Sequence, residues 1–118
     1  MRRDAQRLRD ILEAIERIER AADRGRAAFE ADEMVQVWIL HYIQILGEAS
    51  RALSEPLRTR HPEVPWSLII GMRHILVHDY FGIDLGEVWA VVERDLPRLR
   101  KNVEAILAEE QAAGSERS

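Results

Sequence analysis

The chain predicts an all-α domain: an up-and-down bundle of four main helices, with a short extra helical turn and a kink in the last helix. Apolar residues recur at three- and four-residue steps over most of its length, the period of helices buried along one face. Strand signals are absent. Glycines and prolines fall mainly between the periodic stretches, where they end helices.

The first helix is expected from about Asp4 to Arg24, with Leu8, Ile11, Leu12, Ile15, Ile18 and Ala22 as its apolar stripe and Gly25 as its end. The second is expected from an Asp32 N-cap to Leu53. Met34, Val35, Val37, Trp38, Ile39, Leu40, Tyr42, Ile43, Ile45 and Leu46 cover most of its circumference. Such a helix is buried on more than one side, centrally or against a second subunit. Gly47 within it marks close approach by a neighbouring helix, and Glu48 is a charge in apolar surroundings. Ser54-Glu55-Pro56 reads as a cap and a short turn, and His61-Pro62 and Val64-Pro65 enforce extended backbone. The third helix is expected from Trp66 to Tyr80, with Gly82 as stop signal. Asp84 caps the fourth, whose stripe is Leu85, Val88, Trp89, Val92 and Leu96, and Pro97 kinks or restarts it. Residues 1–110 form the domain, and the small polar tail, 111–118, is expected to fray.

At 118 residues a chain folds as one domain burying roughly two thirds of its unfolded surface. It has little material for a deep private cavity, a problem that a site between two copies would solve. Cysteine is absent, which excludes disulfides and thiolate metal sites and makes a reducing compartment the default. No run of about 18 apolar residues occurs, and a charged helix follows Met1, so a cytoplasmic protein is expected. The net charge of −4 argues against a general nucleic-acid coating protein but leaves room for a local basic cleft. Of the 17 basic residues all but Lys101 are arginine, a planar fork for phosphate; a GC-rich genome explains that bias equally well.

The chemistry concentrates in Gly71-Met72-Arg73-His74-Ile75-Leu76-Val77-His78-Asp79-Tyr80-Phe81-Gly82. Arg73 and His78 lie about 140° around a helix and about 7.5 Å along it, so they do not share a stripe. His74 and His78 do. A histidine can take the proton of an RNA 2′-hydroxyl or protonate the leaving 5′-oxygen, while a guanidinium stabilises the charge building on phosphorus. No metal is needed, because the nucleophile belongs to the substrate. The products would carry a 2′,3′-cyclic phosphate and a 5′-hydroxyl. A symmetric dimer would place two Arg73–His78 sets across one groove.

The same residues have plainer readings. His74 and His78 can complement the helix dipole while Arg73 pairs with Glu48. Alternatively, His74 and His78 with Asp79 or Asp84 could hold zinc or manganese, although a third ligand is not evident. Trp38, Trp66 and Trp89 read as core or interface anchors, His41 as a satisfied buried histidine and His61 as structural. Arg51, Arg58 and Arg60 suit either an RNA groove or a solvated cluster, and Glu48 is expected to orient Arg73.

Arg73-His74-x-x-x-His78-x-Tyr80 resembles the signature of the HepT-like ribonucleases of the HEPN superfamily. Gln44-Ile45-Leu46-Gly47-Glu48-Ala49, His61-Pro62 with Pro65-Trp66, Ile70-Gly71-Met72-Arg73, His78-Asp79-Tyr80-Phe81, and Val88-Trp89 with Asp95-Leu96-Pro97 resemble that family in order and spacing. His74 stands where the family often has asparagine. The resemblance implies a homodimeric, metal-independent endoribonuclease toxin without cofactor, acting on RNA and with transfer RNA as a family-level target. It implies Arg73 and His78 as catalytic residues. Tyr80 would be the site of AMP transfer by a nucleotidyltransferase antitoxin of the MntA type. His74, Glu48 and Asp79 are supporting candidates. The competing reading is a non-catalytic helical module that docks on a nucleotidyltransferase.

Overall fold

The computed structural model describes the backbone of residues 2–78 and 84–117, and the side chains of 3–72 and 84–114. Among the described residues every element is helical: α1 (Arg2–Ala22), α2 (Arg26–Ala31), α3 (Glu33–Ala52), α4 (Glu55–Arg60), α5 (Trp66–His78), α6 (Leu85–Ala90) and α7 (Leu96–Arg117). α1 packs on α3 and α7, and α3 packs on α5. The shared core holds Leu8, Ile11, Ile15 and Ile18 of α1, Ile39, Ile43 and Leu46 of α3, Ile69 of α5, and Leu99, Val103 and Ile106 of α7.

The expected punctuation is present. Gly25 ends α1 with φ +94°, a conformation that only glycine adopts cheaply. Asp32 accepts from the N–H groups of Met34 and Val35, Ser54 from Leu57, and Asp84 from Gly86 and Glu87, each satisfying N–H groups that a helix start leaves open. Gly47 is buried.

Three features add to the expected outline. α2 fills the interval read as a break; Phe29 anchors it in the core, its ring stacked on Trp89 at 5.4 Å. The last helix does not simply kink at Pro97. It widens into a π-helical stretch, Val91–Asp95, where the Leu96 N–H donates to the Val91 carbonyl. This stretch lies directly ahead of Pro97, which has no N–H of its own to continue an α-helical ladder. Finally, α7 continues as helix to Arg117, beyond the Glu110 at which the apolar pattern stops. Residues 111–114 are solvent-exposed there, so the helix propensity of Gln111, Ala112 and Ala113, and not packing, carries the helix past Glu110.

Candidate active site

The helix bearing the motif is fixed at its entrance from two sides. Asp4 of α1, buried, accepts from the Ser54 N–H at 2.8 Å and the Ser54 hydroxyl at 2.6 Å. This pair ties the start of α4 to α1. In the connection that follows, the buried Trp66 Nε1–H donates to the His61 carbonyl at 3.0 Å. His61 Nδ1 lies 3.0 Å from Glu63 and Nε2 lies 3.4 Å from Glu109 of α7. Arg60 reaches Glu110 at 2.9 Å. The carboxyl of Glu63 sits below its ordinary value, first through a hydrogen bond with its own backbone and second through His61.

α5 then starts on Pro65, whose carbonyl accepts from the N–H groups of Leu68 and Ile69. Trp66 and Ile69 turn into the core, Ser67 and Leu68 are exposed, and Ile70, Gly71 and Met72 are half-buried. Among the described residues nothing lies within 4 Å of where a side chain on Gly71 would begin. The helix runs unbroken to His78, so Arg73 and His78 stand five positions apart along a regular helix. The side chains of Arg73, His74 and His78, and Asp79 and Tyr80 entirely, lie outside the described residues.

Several expectations around the site are corrected. His41 is exposed and not buried; its ring meets Tyr42 edge-on at 5.1 Å. Glu48 is exposed and not enclosed by apolar groups. It lines a 510 Å³ groove between α1 and α3 with Arg7, Asp10, Glu13, Arg17 and Tyr42. There Arg17 pairs with Glu13 at 3.1 Å and packs over the Tyr42 ring at 5.6 Å. These contacts, Glu13 foremost, hold its guanidinium above its usual value. Trp66 and Trp89 are core anchors, whereas Trp38 is 44 % exposed. Arg51 is exposed, Arg60 is engaged by Glu110, and the buried Nε of Arg58 has no hydrogen-bond partner among the described residues. Among the described residues no three His, Asp or Glu side chains stand close enough to hold a metal ion. Likewise no described helix is long and apolar enough to cross a membrane.

Sequence reading missed Asp4 and the acceptors Glu109 and Glu110. Asp4 looks like any acid in a first turn, and its partner lies fifty positions away. No local signal marks it.

The fold defines a class, the small all-helical bundles. Residues 11–106 match the family described as ribonuclease HepT-like, and the chain belongs to that family. Similar proteins include "Putative RNase MJ1380" of Methanocaldococcus jannaschii, 39 % identical over 100 residues, covering 84 % of this chain and 92 % of that one. "Probable ribonuclease HepT" of Thermococcus cleftensis is 36 % identical over 100 residues, 84 % of this chain and 91 % of that one. A third, "Gamma-glutamylcyclotransferase and putative RNase MJ0434" of Methanocaldococcus jannaschii, is 37 % identical over 111 residues; these are 92 % of this chain but only 50 % of that longer protein. No solved structure matches the sequence significantly.

Proposed function

We propose that the chain is a metal-independent endoribonuclease toxin that works as a homodimer and is neutralised by AMP transfer to Tyr80. The observation that carries this is α5, helical without interruption from Trp66 to His78, which spaces Arg73 and His78 nearly one and a half turns apart. Membership of a ribonuclease family and relatives named as ribonucleases support it.

In this mechanism His78 takes the proton of a ribose 2′-hydroxyl and the 2′-oxygen attacks phosphorus. The bond from phosphorus to the 5′-oxygen breaks, and that oxygen leaves with a proton from the second copy's histidine. Arg73 stabilises the negative charge on the phosphorane. A 2′,3′-cyclic phosphate and a 5′-hydroxyl result, with transfer RNA as the first substrate to try. The protein acts in the cytoplasm. Its partner is an MntA-type nucleotidyltransferase. AMP on Tyr80, two residues past His78, adds bulk and negative charge that repel RNA.

Expression alone and with that nucleotidyltransferase tests the reading. Growth arrest by the lone wild type, absent from folded Arg73→Ala and His78→Ala variants, is the expected result. On co-expression the intact mass rises by whole AMP units that map to Tyr80. A harmless lone wild type would favour the non-catalytic module.

A further inference from the structure

Among the described residues the exposed large apolar side chains are Met34, Val37, Trp38 and Leu68. Three of them crowd into the start of α3. Met34 is 82 % exposed, far more than a monomer has reason to show in a cluster. They stand away from the buried stripe of Ile39, Ile43, Leu46 and Ser50 on the same helix. Trp38 is a fixed ridge, because its Nε1–H donates to the Arg17 carbonyl at 3.3 Å and its ring rests 5.0 Å from that of Tyr42. A hollow lies on each side of it. One of 310 Å³ is lined by Arg17, Arg20, Ala21, Met34 and Val35, the other of 480 Å³ by Glu33, Met34, Val37 and His41.

We infer that this face of α3 seats a second copy of the chain, the two α3 helices crossing antiparallel about a two-fold axis beside Val37. The inference rests on the homodimeric reading above and assigns its interface. A ridge bordered by hollows is self-complementary under two-fold rotation. With the axis at Val37, Trp38 of each copy enters the hollow beside Met34 and Val35 of the other. His41 comes opposite Glu33 of the other copy, an imidazole facing an acid. RNA is a poor occupant, since the cations at the edge are already neutralised: Arg17 by Glu13 at 3.1 Å and Arg20 by Glu16 at 2.7 Å.

Area sets how far the contact reaches. α3 is about 30 Å long and about 10 Å wide, a strip on the order of 300 Å², against about 800 Å² per partner for a standard interface. The contact therefore spreads to the flanking α1 and α5, and the 50 × 27 Å extent of the molecule provides the room. An in-plane two-fold that reverses α3 leaves each flank on its own side. α5 thus faces α5, and the groove between copies gains a motif helix from each.

The absence of cysteine makes the test clean. Sedimentation of the full chain should give a dimer. Met34→Glu combined with Val37→Glu should weaken it at least roughly a hundredfold with the helical circular dichroism unchanged, while Ala108→Glu, on the exposed face of α7, leaves it intact. Val37→Cys should form a disulfide-linked dimer on mild oxidation, and Ala108→Cys should not. A dimer indifferent to the Met34/Val37 changes overturns the assigned face alone. A monomeric wild type overturns the homodimer as well, while ribonuclease activity is judged separately by RNA cleavage.

Discussion

Asp4 and Ser54 form a closed pair across fifty positions of sequence: one carboxylate oxygen accepts from the Ser54 N–H at 2.8 Å, the other from its hydroxyl at 2.6 Å. That hydroxyl also accepts from the Leu57 N–H at 3.3 Å and so caps α4. With Asp4 only 2 % exposed, the pair is shielded from competing water.

Asp4→Ala should therefore cost about 2 to 3 kcal/mol, the range for losing a hydrogen bond to a charged group and stranding a buried donor. A thermal melt should show a Tm lower by about 10 °C. A change within the scatter of exposed α1 variants such as Gln6→Ala would contradict the assignment.

α2 depends on one side chain. Phe29 is fully buried and stacks on Trp89, whose Nε1–H donates to Glu93 at 2.7 Å. Phe29→Ala should destabilise the chain by about 3 to 5 kcal/mol and red-shift the tryptophan emission as Trp89 meets water. Emission unchanged in the still-folded variant would argue against the stack.

How much of this was legible beforehand follows from where the information sits. Asp32, Ser54 and Asp84 were readable as caps because capping is decided within three residues. The start of α5 at Trp66 followed from Pro62 and Pro65. By contrast α2 is too short for periodicity to register, and its reason, Phe29 on Trp89, spans sixty positions. Residue type also does not say what covers a side chain. The apolar start of α3 reads as buried centrally or against a second subunit; Met34 and Val37 face solvent in the single chain, which leaves the second of these, while His41 and Glu48, expected inside, are exposed. At the candidate site the spacing of Arg73, His78 and Tyr80 was legible, but their chemistry rested on resemblance, since one arginine and one histidine on a helix occur often by chance.

Glu63 gives a pH signature. Its carboxyl titrates below its ordinary value near 4.5 in the folded chain, through its own backbone and then His61. A depressed folded value contributes stability above the unfolded value, and the contribution fades as pH falls through the folded one. Wild type should thus exceed Glu63→Gln in Tm by a small margin above pH 5, and the two should converge as the pH falls below the ordinary value near 4.5 and through the folded one. A margin that grows on acidification would have the wrong sign. The carboxylate is exposed, so the margin stays modest.

Two glycines should respond in opposite senses to alanine. At Gly25, with φ +94°, alanine is strained and should destabilise by about 1 kcal/mol. At Gly71, inside α5 with none of the described residues within 4 Å of an added Cβ, alanine should stabilise by about 0.5 to 1 kcal/mol through helix propensity. Chemical denaturation of both variants checks the pair; destabilisation at Gly71 would mean that a neighbour already occupies that space.

The most direct measurement is cleavage of a labelled RNA by the purified chain, with the product ends identified by mass. The account predicts 2′,3′-cyclic phosphate and 5′-hydroxyl ends, undiminished by EDTA. It also predicts rates lower by roughly 10²- to 10⁴-fold in Arg73→Ala and in His78→Ala, with the helical signal retained. Cleavage that survives both substitutions, or that stops with EDTA, would contradict it.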